Sequence, residues 1–430
     1  MDRSDRYLRL ILPAVFAAAF AAVGTVRATG HTALYESIMS AWGVVPFAFP
    51  FVDIHGVVAS SACWHQGVNV YVVNPCDVLG RLFQYSPLLL TAVPRMSGLA
   101  ATPYAGLLVN GLFMLSLLLL PMPRRVADVA LMILALLSST VVFGAERANI
   151  DLVIFAAAAA IAALMQRALW ARLAGYAVIA AVALVKYYPA TLFILALRES
   201  PRRFAVIAVG AIALGAIFVA TYHADLALAF GHLPESRYFG DQFNSRNLPD
   251  GLAMIYSRIV PALVAVPLVL AALAGSLALA IRSHDAWRQL PPREATFLTV
   301  GAVLLVGCFF AGQNVVYRGI FLLLVLPGLM KLGRSTAGSL SRIFGATACI
   351  AVCLMWSELF RDAIRVALPS LAFVYWLGRE LAWWWLITVL AGLTWCFVRE
   401  SAIGQMAVPL GISHRFARTP PGLPGGRNPS

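Results

Sequence analysis

Long apolar segments separated by short polar ones recur along most of the chain. Each approaches the roughly 20 residues that an α-helix needs to cross a hydrocarbon layer about 30 Å thick. Two short segments meet at Lys186-Tyr187-Tyr188-Pro189, where proline disfavours a continuous helix, so we expect a broken pair there. The pattern predicts an all-α polytopic membrane protein with about twelve transmembrane helices. The predicted spans are 10–27, 103–121, 126–144, 150–166, 173–185, 188–198, 204–222, 259–281, 295–312, 317–331, 342–360 and 381–398.

The segments between the spans are too short or too apolar to form a separate soluble domain. The first long loop, about 28–102, is rich in apolar and aromatic residues, so we expect it to lie on the membrane as short parallel helices. A second long loop covers about 223–258. The chain is therefore predicted to be a single transmembrane domain over 1–402. A cytoplasmic tail follows over 403–430, and its Pro- and Gly-rich end is expected to be disordered from about 419.

The composition agrees with a membrane protein, and it changes how the positive net charge is interpreted. The chain is 61% hydrophobic and 12% charged, against about 45–50% and about 25% in soluble domains. This excludes a soluble enzyme and, despite a net charge of +13, a nucleic-acid partner. Lys and Arg collect in cytoplasmic loops, and most of the 32 basic residues fall in alternate loops if both termini are cytoplasmic. The others favour an anionic partner, and they include Arg81, Arg147, Lys186, Arg246 and Arg318.

Two of the six cysteines, Cys63 and Cys76, lie in the first long loop. If that loop faces an oxidising compartment they can form a disulfide, and two free loop thiols are equally compatible with the sequence. The other four lie in predicted spans and are interpreted as small buried hydrophobic residues. No spacing of Cys and His indicates a metal site, and the sequence predicts no metal or other cofactor.

The first loop also contains the strongest candidate for chemistry. Asp53 follows an aromatic, proline-broken segment and precedes a small-residue helix predicted over 54–66. A carboxylate partly shielded from water at that position can act as a general base. The alternative is that Asp53 only caps the helix that follows. His55, Tyr71 and Tyr85 are candidate substrate-lining residues in the same loop.

Four polar residues, Glu146, Arg147, Asn149 and Asp151, stand between two predicted spans. Polar groups at that depth are costly unless they are paired. A local Glu146–Arg147 ion pair, with Asn149 or Asp151 capping the next helix, is one interpretation. A substrate-lining site is the other.

Three further cations are candidates for binding a phosphate. Lys186 lies at membrane depth, where a lysine costs about 2.5–3.5 kcal/mol, so an anionic partner such as a phosphate would stabilise it unless it reaches the interface. Arg246 and Arg318 lie near the later loops, Arg318 close to Asn314. The planar guanidinium of arginine suits phosphate, although each arginine alone could be an interfacial anchor.

These residues occur in a fixed order over roughly 1–330. In chain order they are Asp53, Gly67-Val68-Asn69-Val70-Tyr71, Tyr85-Ser86-Pro87-Leu88, Glu146-Arg147-Ala148-Asn149-Ile150-Asp151, Lys186-Tyr187-Tyr188-Pro189, and Asn314 with Tyr317-Arg318. The ordered set resembles the GT-C membrane glycosyltransferases, and within them the family-87 group that uses polyprenyl-phosphate sugars. Members of that group often have a His-containing motif near the tenth span, where this chain has Gln313-Asn314 and Arg318. This departure leaves the sugar and the acceptor open.

The resemblance implies a hexosyltransferase that acts at the outer face of a plasma-type membrane, with both termini inside. Asp53 would be the general base, and the sugar, with mannose as the first candidate, would move from a polyprenyl phosphate to a lipid or glycan acceptor with inversion. Lys186, Arg318, Arg147 and Arg246 would be the candidates for binding the donor phosphate. Glu146, Asn149, Asp151 and Asn314 would line the substrate with His55, Tyr71 and Tyr85. The other expected partners are membrane lipids, and the sequence does not indicate an oligomeric state.

Two other classes of protein remain compatible with the sequence. A secondary transporter or flippase of a lipid-linked or anionic substrate would also have many spans, a broken helix pair and intramembrane charge. A ligase that uses a lipid diphosphate donor would also act at the outer face. The polar residues crowd one face and the longest loop comes first, which favours the transferase.

Overall fold

The computed structural model describes residues 3–93, 98–231, 240, 242–256, 260–312 and 314–407, so the predicted disorder from about 419 lies outside the described residues. Within these ranges the regular secondary structure is helical, apart from an isolated bridge between Gln242 and Val315. Short 3-10 helices cover Leu117–Leu119, Tyr188–Arg198, Val316–Phe321 and Pro369–Leu371. The α-helices are α1 (Arg3–Ala28), α2 (Thr32–Ala41), α3 (Val52–Trp64), α4 (Pro87–Ala92), α5 (Gly98–Ser116), α6 (Val126–Leu136), α7 (Ser139–Arg147), α8 (Ile150–Leu164), α9 (Leu169–Val185), α10 (Pro201–Gly231), α11 (Asn247–Ile255), α12 (Val260–Arg288), α13 (Pro292–Ala311), α14 (Leu322–Ser335), α15 (Gly338–Met355), α16 (Ser357–Ala367), α17 (Ala372–Glu400) and α18 (Ala402–Ala407).

The fold is that of an all-α, multi-pass membrane protein. Eight helical segments of the described chain are long and apolar enough to cross a membrane. A ninth crossing results if α6 and α7, which meet at a bend of 44°, act as one broken span. The predicted spans over 150–166, 173–185 and 188–198 are also helical, but α8, α9 and the 3-10 helix Tyr188–Arg198 are shorter than the other spans. The count of twelve therefore stays a prediction.

The centre of the bundle is the contact between α13 and α14. The segment Val316–Ser335 is 78% buried over its most apolar stretch. Two glycines bring the helices together, because a Cβ atom at Gly301 would lie 2.6 Å from Val325 Cγ2 and one at Gly328 would lie 2.7 Å from Leu298 Cδ1. Any side chain at either position would push the helices apart, since interiors are close-packed.

The two ends of the bundle differ in their polar contacts. At one end, Arg172 pairs with Glu199 at 2.7 and 3.0 Å, and Arg293 donates to the carbonyl of Leu119 at 2.8 Å. At the other end, the starts of α3 and α8 meet the ends of α7 and α9. We call this second end the site end, and it comprises residues 44–86, 145–151, 186–189 and 314–318.

The first long loop is folded, with α2, α3 and α4 inside the expected range 28–102. α3 begins at Val52, two residues before its predicted start, and Phe51 precedes it in the left-handed region at φ 67°. The Phe51 ring occupies the space next to Gly106 on α5, where a Cβ atom would lie 2.3 Å from the ring. This contact fixes the start of α3 against α5, because a larger residue at position 106 would displace Phe51.

Candidate functional site

Asp53 lies in the first turn of α3 and its carboxylate is held by three side chains. Asn149 donates from Nδ2 to Oδ2 at 2.6 Å. Guanidinium nitrogens of Arg81 and Arg147 lie 3.5 and 3.9 Å from Oδ1. The residue that caps α3 is Phe51, so the interpretation of Asp53 as a helix cap is wrong. The Asp53 side chain is 14% exposed.

Asn149 joins Asp53 to a second carboxylate. Its Oδ1 accepts the backbone N–H of Asp151 at 2.9 Å, which caps α8 as the sequence suggested. Ala148, just before it, has φ 47°. Ala148 and Phe51 are the two non-glycine residues of the described chain with positive φ; Ala148 directly precedes Asn149, and Phe51 lies two residues before Asp53. Such conformations cost about 1–3 kcal/mol and cluster at functional sites.

Asp151 shares its carboxylate between two cations. Lys186 Nζ lies 2.6 Å from Oδ1, and Arg318 Nε lies 3.4 Å from Oδ2. The Tyr188 hydroxyl also donates to Oδ1 at 2.8 Å. The Lys186 side chain is 9% exposed and that of Asp151 is 1% exposed. The partner of Lys186 is thus within the protein, but two positive charges against one negative charge leave a surplus of one, which favours a monoanion.

Three tyrosine rings surround the Lys186 ammonium group. The ring centroids of Tyr85, Tyr317 and Tyr188 lie 5.4, 5.9 and 6.0 Å from Nζ, within the range of cation–π attraction. Burial, with the charges of Asp53 and Asp151, raises the pKa of the Tyr85 hydroxyl well above its ordinary value. This hydroxyl is therefore protonated and neutral at physiological pH.

Arg81 contacts Asp53, although the sequence indicated it only as a basic residue that topology does not explain and gave it no role in the site. Its Nε lies 2.7 Å from Asp77 Oδ2, and its Nη2 donates to the Val52 carbonyl at 2.6 Å. A Cβ atom at Gly56 would lie 2.9 Å from that same nitrogen, so position 56 must stay small. Two signals pointed to Arg81: topology does not explain its charge, and it follows Asp77 by four residues.

A disulfide joins Cys63 to Cys76 and fastens the other end of α3. Cys63 lies in the last turn of α3, and Cys76 directly precedes Asp77. The segment 76–81 therefore holds the end of α3 through the disulfide and the start of α3 through Arg81. The position of Asp53 depends on both attachments.

Glu146 and Arg147 do not form the local ion pair that was one interpretation of the sequence. Tyr35 donates from its hydroxyl to Glu146 Oε1 at 3.2 Å. The Arg147 guanidinium stacks between Phe47 and Phe143, 4.6 and 4.2 Å from the two ring centroids. Arg147 therefore faces the Asp53 side of the site, and Glu146 faces α2.

His55 and Tyr71 are fully buried and support the first loop. His55 Nδ1 lies 2.9 Å from Thr102 Oγ1, and its Nε2 accepts the backbone N–H of Val78 at 3.4 Å. Burial lowers the pKa of His55, so the imidazole is neutral. Tyr71 donates from its hydroxyl to the Tyr85 carbonyl at 3.0 Å. Neither side chain is placed to contact a substrate at Asp53.

Two other predicted site residues lie apart from the Asp151 cluster. The side chain of Arg246 is 78% exposed and pairs with Asp250 at 3.4 Å. Asn314 donates from Nδ2 to the carbonyls of Cys308 and Gly312 and so holds a turn. Among the described residues, no hydrogen bond or ion pair links the side chain of Arg246 or Asn314 to Asp151, Lys186 or Arg318.

An apolar groove of about 510 Å³ lies between α9, α10 and the 3-10 helix Tyr188–Arg198. Its walls include Leu184, Phe193 and Phe218, together with Tyr187. α10 is only 6% buried over its most apolar stretch, so this side of the groove is a helix that packs loosely on the bundle. Tyr187 lies between Lys186 and Tyr188 in the chain, so one residue that lines the groove is the neighbour of two residues of the cluster.

Comparison with models of known families, with characterised proteins and with solved structures finds no match. In the part of the chain that the structure describes, no group of three or more His, Cys, Asp or Glu residues could hold a metal ion. The chemistry of the site therefore carries the functional inference.

Proposed function

We propose that the protein is an integral membrane glycosyltransferase that moves a hexose, with mannose as the first candidate, from a polyprenyl-phosphate donor to a lipid or glycan acceptor. One arrangement carries this proposal. Lys186 and Arg318 share the carboxylate of Asp151, and Asn149 links Asp151 to Asp53. A surplus positive charge for a phosphate thus lies next to a carboxylate that can accept a proton.

The proposed reaction uses both halves of the site. Asp53 Oδ1 removes the proton of an acceptor hydroxyl as the hydroxyl oxygen attacks the anomeric carbon from the face opposite the phosphate. The new C–O bond forms while the bond from the anomeric carbon to the phosphate oxygen breaks, and its electron pair stays on that oxygen. The configuration inverts, and the proton passes from Asp53 to water before the next turnover.

The charge of the donor matches the cluster around Asp151. A polyprenyl-phosphate sugar is a phosphodiester with one negative charge, and the released polyprenyl phosphate carries up to two. The excess charge of Lys186 and Arg318 over Asp151 offsets the first. The second develops in the transition state, where fixed positive charges in a water-poor site are most effective.

The apolar groove gives the polyprenyl chain a binding place. Its walls are aliphatic and aromatic side chains that include Tyr187, and Tyr187 follows Lys186 in the chain. A lipid chain that lies along α10 in this groove would bring its phosphate toward Lys186. An apolar groove so close in sequence to the cation favours a lipid-linked donor over a soluble sugar nucleotide.

The site end is proposed to face the outside of the membrane, with both termini cytoplasmic. Basic residues collect at the opposite end, as the positive-inside rule requires of a cytoplasmic face. They include Arg124, Arg167, Arg202, Arg282 and Lys331. The disulfide at the site end also suits an oxidising compartment.

A transfer assay with a matched variant tests the proposal. Purified protein would receive radiolabelled polyprenyl-phosphate mannose, or the glucose analogue, with a membrane lipid extract. We expect labelled product, and a fall of about 10²–10⁴-fold in Asp53→Asn. Glu36→Gln removes a carboxylate from an exposed position on α2 and should transfer normally. Normal turnover by folded Asp53→Asn would show that Asp53 is not the base, and counterflow in proteoliposomes without covalent product would indicate a transporter.

A further inference from the structure

The three tyrosines around Lys186 differ in what their hydroxyls contact. The Tyr188 hydroxyl donates to Asp151 at 2.8 Å. The hydroxyls of Tyr85 and Tyr317 make no hydrogen bond to any described residue. Both residues are partly exposed as a whole. A phenol at such depth ordinarily has a hydrogen-bond partner.

The two rings lie next to the cations of the site. Their centroids are 5.4 Å (Tyr85) and 5.9 Å (Tyr317) from Lys186 Nζ. The Tyr317 ring also lies against Phe143, which stacks on the Arg147 guanidinium beside Asp53. Tyr317 is therefore in contact with residues that lead to both Asp151 and Asp53.

Packing fixes the direction of both rings. The Tyr317 ring lies against Phe143, with 5.7 Å between centroids, and the Tyr85 ring lies against Phe83, also with 5.7 Å between centroids. Each ring also faces the Lys186 ammonium group. The two hydroxyls are therefore positioned before a ligand arrives, which lowers the entropy that a ligand loses on binding.

The proposed reaction places the sugar ring in this space, because its anomeric carbon must lie between the base and the departing phosphate. We infer that Tyr317 and Tyr85 bind the hydroxyl groups of the transferred hexose and set the preference for the sugar, an inference that rests on the function proposed above. Neutral phenols match the hydroxyls of an uncharged hexose. The negative charge of the donor phosphate is bound separately, by Lys186 and Arg318.

Binding of two lipids separates recognition of the sugar from recognition of the phosphate. The affinities of polyprenyl phosphate and of polyprenyl-phosphate mannose or glucose are measured in detergent micelles. We expect the wild type to bind the sugar-bearing lipid more tightly. Tyr317→Phe and Tyr85→Phe should each reduce this preference by about 3- to 10-fold, the effect of one hydrogen bond. Their affinity for polyprenyl phosphate itself should not change.

Two other tyrosines serve as comparisons. Tyr188→Phe loosens Asp151 and should weaken both lipids equally. Tyr104→Phe removes a hydroxyl from a side chain that is 71% exposed on α5, and should change neither affinity.

The outcomes distinguish this inference from the proposed function. If Tyr317→Phe and Tyr85→Phe keep the wild-type preference while the wild type transfers sugar, the sugar-binding role is overturned and the transferase stands. A wild type that shows no preference for the sugar-bearing lipid and transfers no sugar overturns both. The affinity for polyprenyl phosphate reports in every variant whether the site is intact, so misfolding cannot imitate the expected result.

Discussion

Asn149 Nδ2 lies 2.6 Å from Asp53 Oδ2, so the side-chain amide of Asn149 holds the carboxylate of the proposed base. The two residues are 96 positions apart in the chain. The same amide caps α8 through its oxygen, 2.9 Å from the backbone nitrogen of Asp151. The orientation of Asp53 and the start of the helix that carries Asp151 therefore depend on one side chain.

Substitutions of Asn149 should separate its two contacts. Asn149→Ser keeps an oxygen that can cap α8 but removes the donor to Asp53, whereas Asn149→Ala removes both. We expect Asn149→Ala to lose about 0.5–2 kcal/mol of stability and Asn149→Ser to lose little. Both should lower kcat by about tenfold, because a misplaced base is costly, with the KM for the donor little changed. Thermal unfolding and transfer kinetics check this, and wild-type kcat in Asn149→Ser would contradict it.

Asp151→Asn should make the protein less stable and more responsive to its ligand. The substitution leaves Lys186 and Arg318 as buried charges without their counter-ion, at a cost of about 3–5 kcal/mol. Polyprenyl phosphate should replace the lost charge, so it should raise the melting temperature of Asp151→Asn more than that of the wild type. Asp128→Asn breaks an ion pair with Arg334 outside the site end and should respond to the lipid as the wild type does. An equal or smaller response in Asp151→Asn would argue against phosphate binding at this cluster.

A larger side chain in the groove should weaken the binding of long-chain lipids more than that of short-chain lipids. Ala211 lines the groove on α10, and Ala211→Phe should exclude several methylene groups, each worth about 0.8 kcal/mol. We expect at least about a tenfold loss of affinity for a long-chain polyprenyl phosphate and little loss for a short-chain one. Val209 lies on the same helix, is 66% exposed and does not line the groove, so Val209→Phe is the control. Equal effects on both chain lengths would place the lipid elsewhere.

His55 should make stability depend on pH. Burial lowers its pKa in the folded protein, and Arg81 also lowers it, while Asp77 acts in the opposite direction. The unfolded chain therefore takes up a proton below about pH 6.5, whereas the folded protein resists it. Stability from this group is complete above that pH and is lost as the pH falls toward the folded pKa. Melting temperatures from pH 7.5 to 5 should fall more for the wild type than for His55→Gln, and parallel curves would contradict this.

The pattern of apolar residues predicted much of the architecture. A helix that satisfies its own backbone groups is one of the few ways for a chain to cross lipid, so long apolar segments are informative. The break at Lys186 to Pro189 was also predictable, because proline interrupts the backbone hydrogen bonds of a helix. The lengths of α8 and α9 were less predictable from the sequence, because each helix ends at a polar turn whose position depends on tertiary contacts.

The sequence predicted several residues of the candidate site but not which of them contact one another. Lys186 was selected because a charge within lipid is costly and so requires a partner. Asp53 was selected as a shielded carboxylate that can act as a base, and Arg318 because a guanidinium suits phosphate. Their partners could not be identified, since Arg81 reaches Asp53 and Asp151 pairs with Lys186 only through contacts between distant segments. Arg246 resembled the others in sequence, yet the fold leaves it exposed with Asp250 as a local partner.

The sequence by itself determined that this is an all-α membrane protein with a few costly polar residues among apolar helices, because lipid constrains composition and segment length directly. Only the tertiary structure decided that Asn149 bridges Asp53 and Asp151, that two cations share one carboxylate, and that the Tyr317 ring lies against Lys186 and Phe143. Hydrogen bonds and ion pairs act over a few ångströms, and which distant residues come that close is set by how the helices pack.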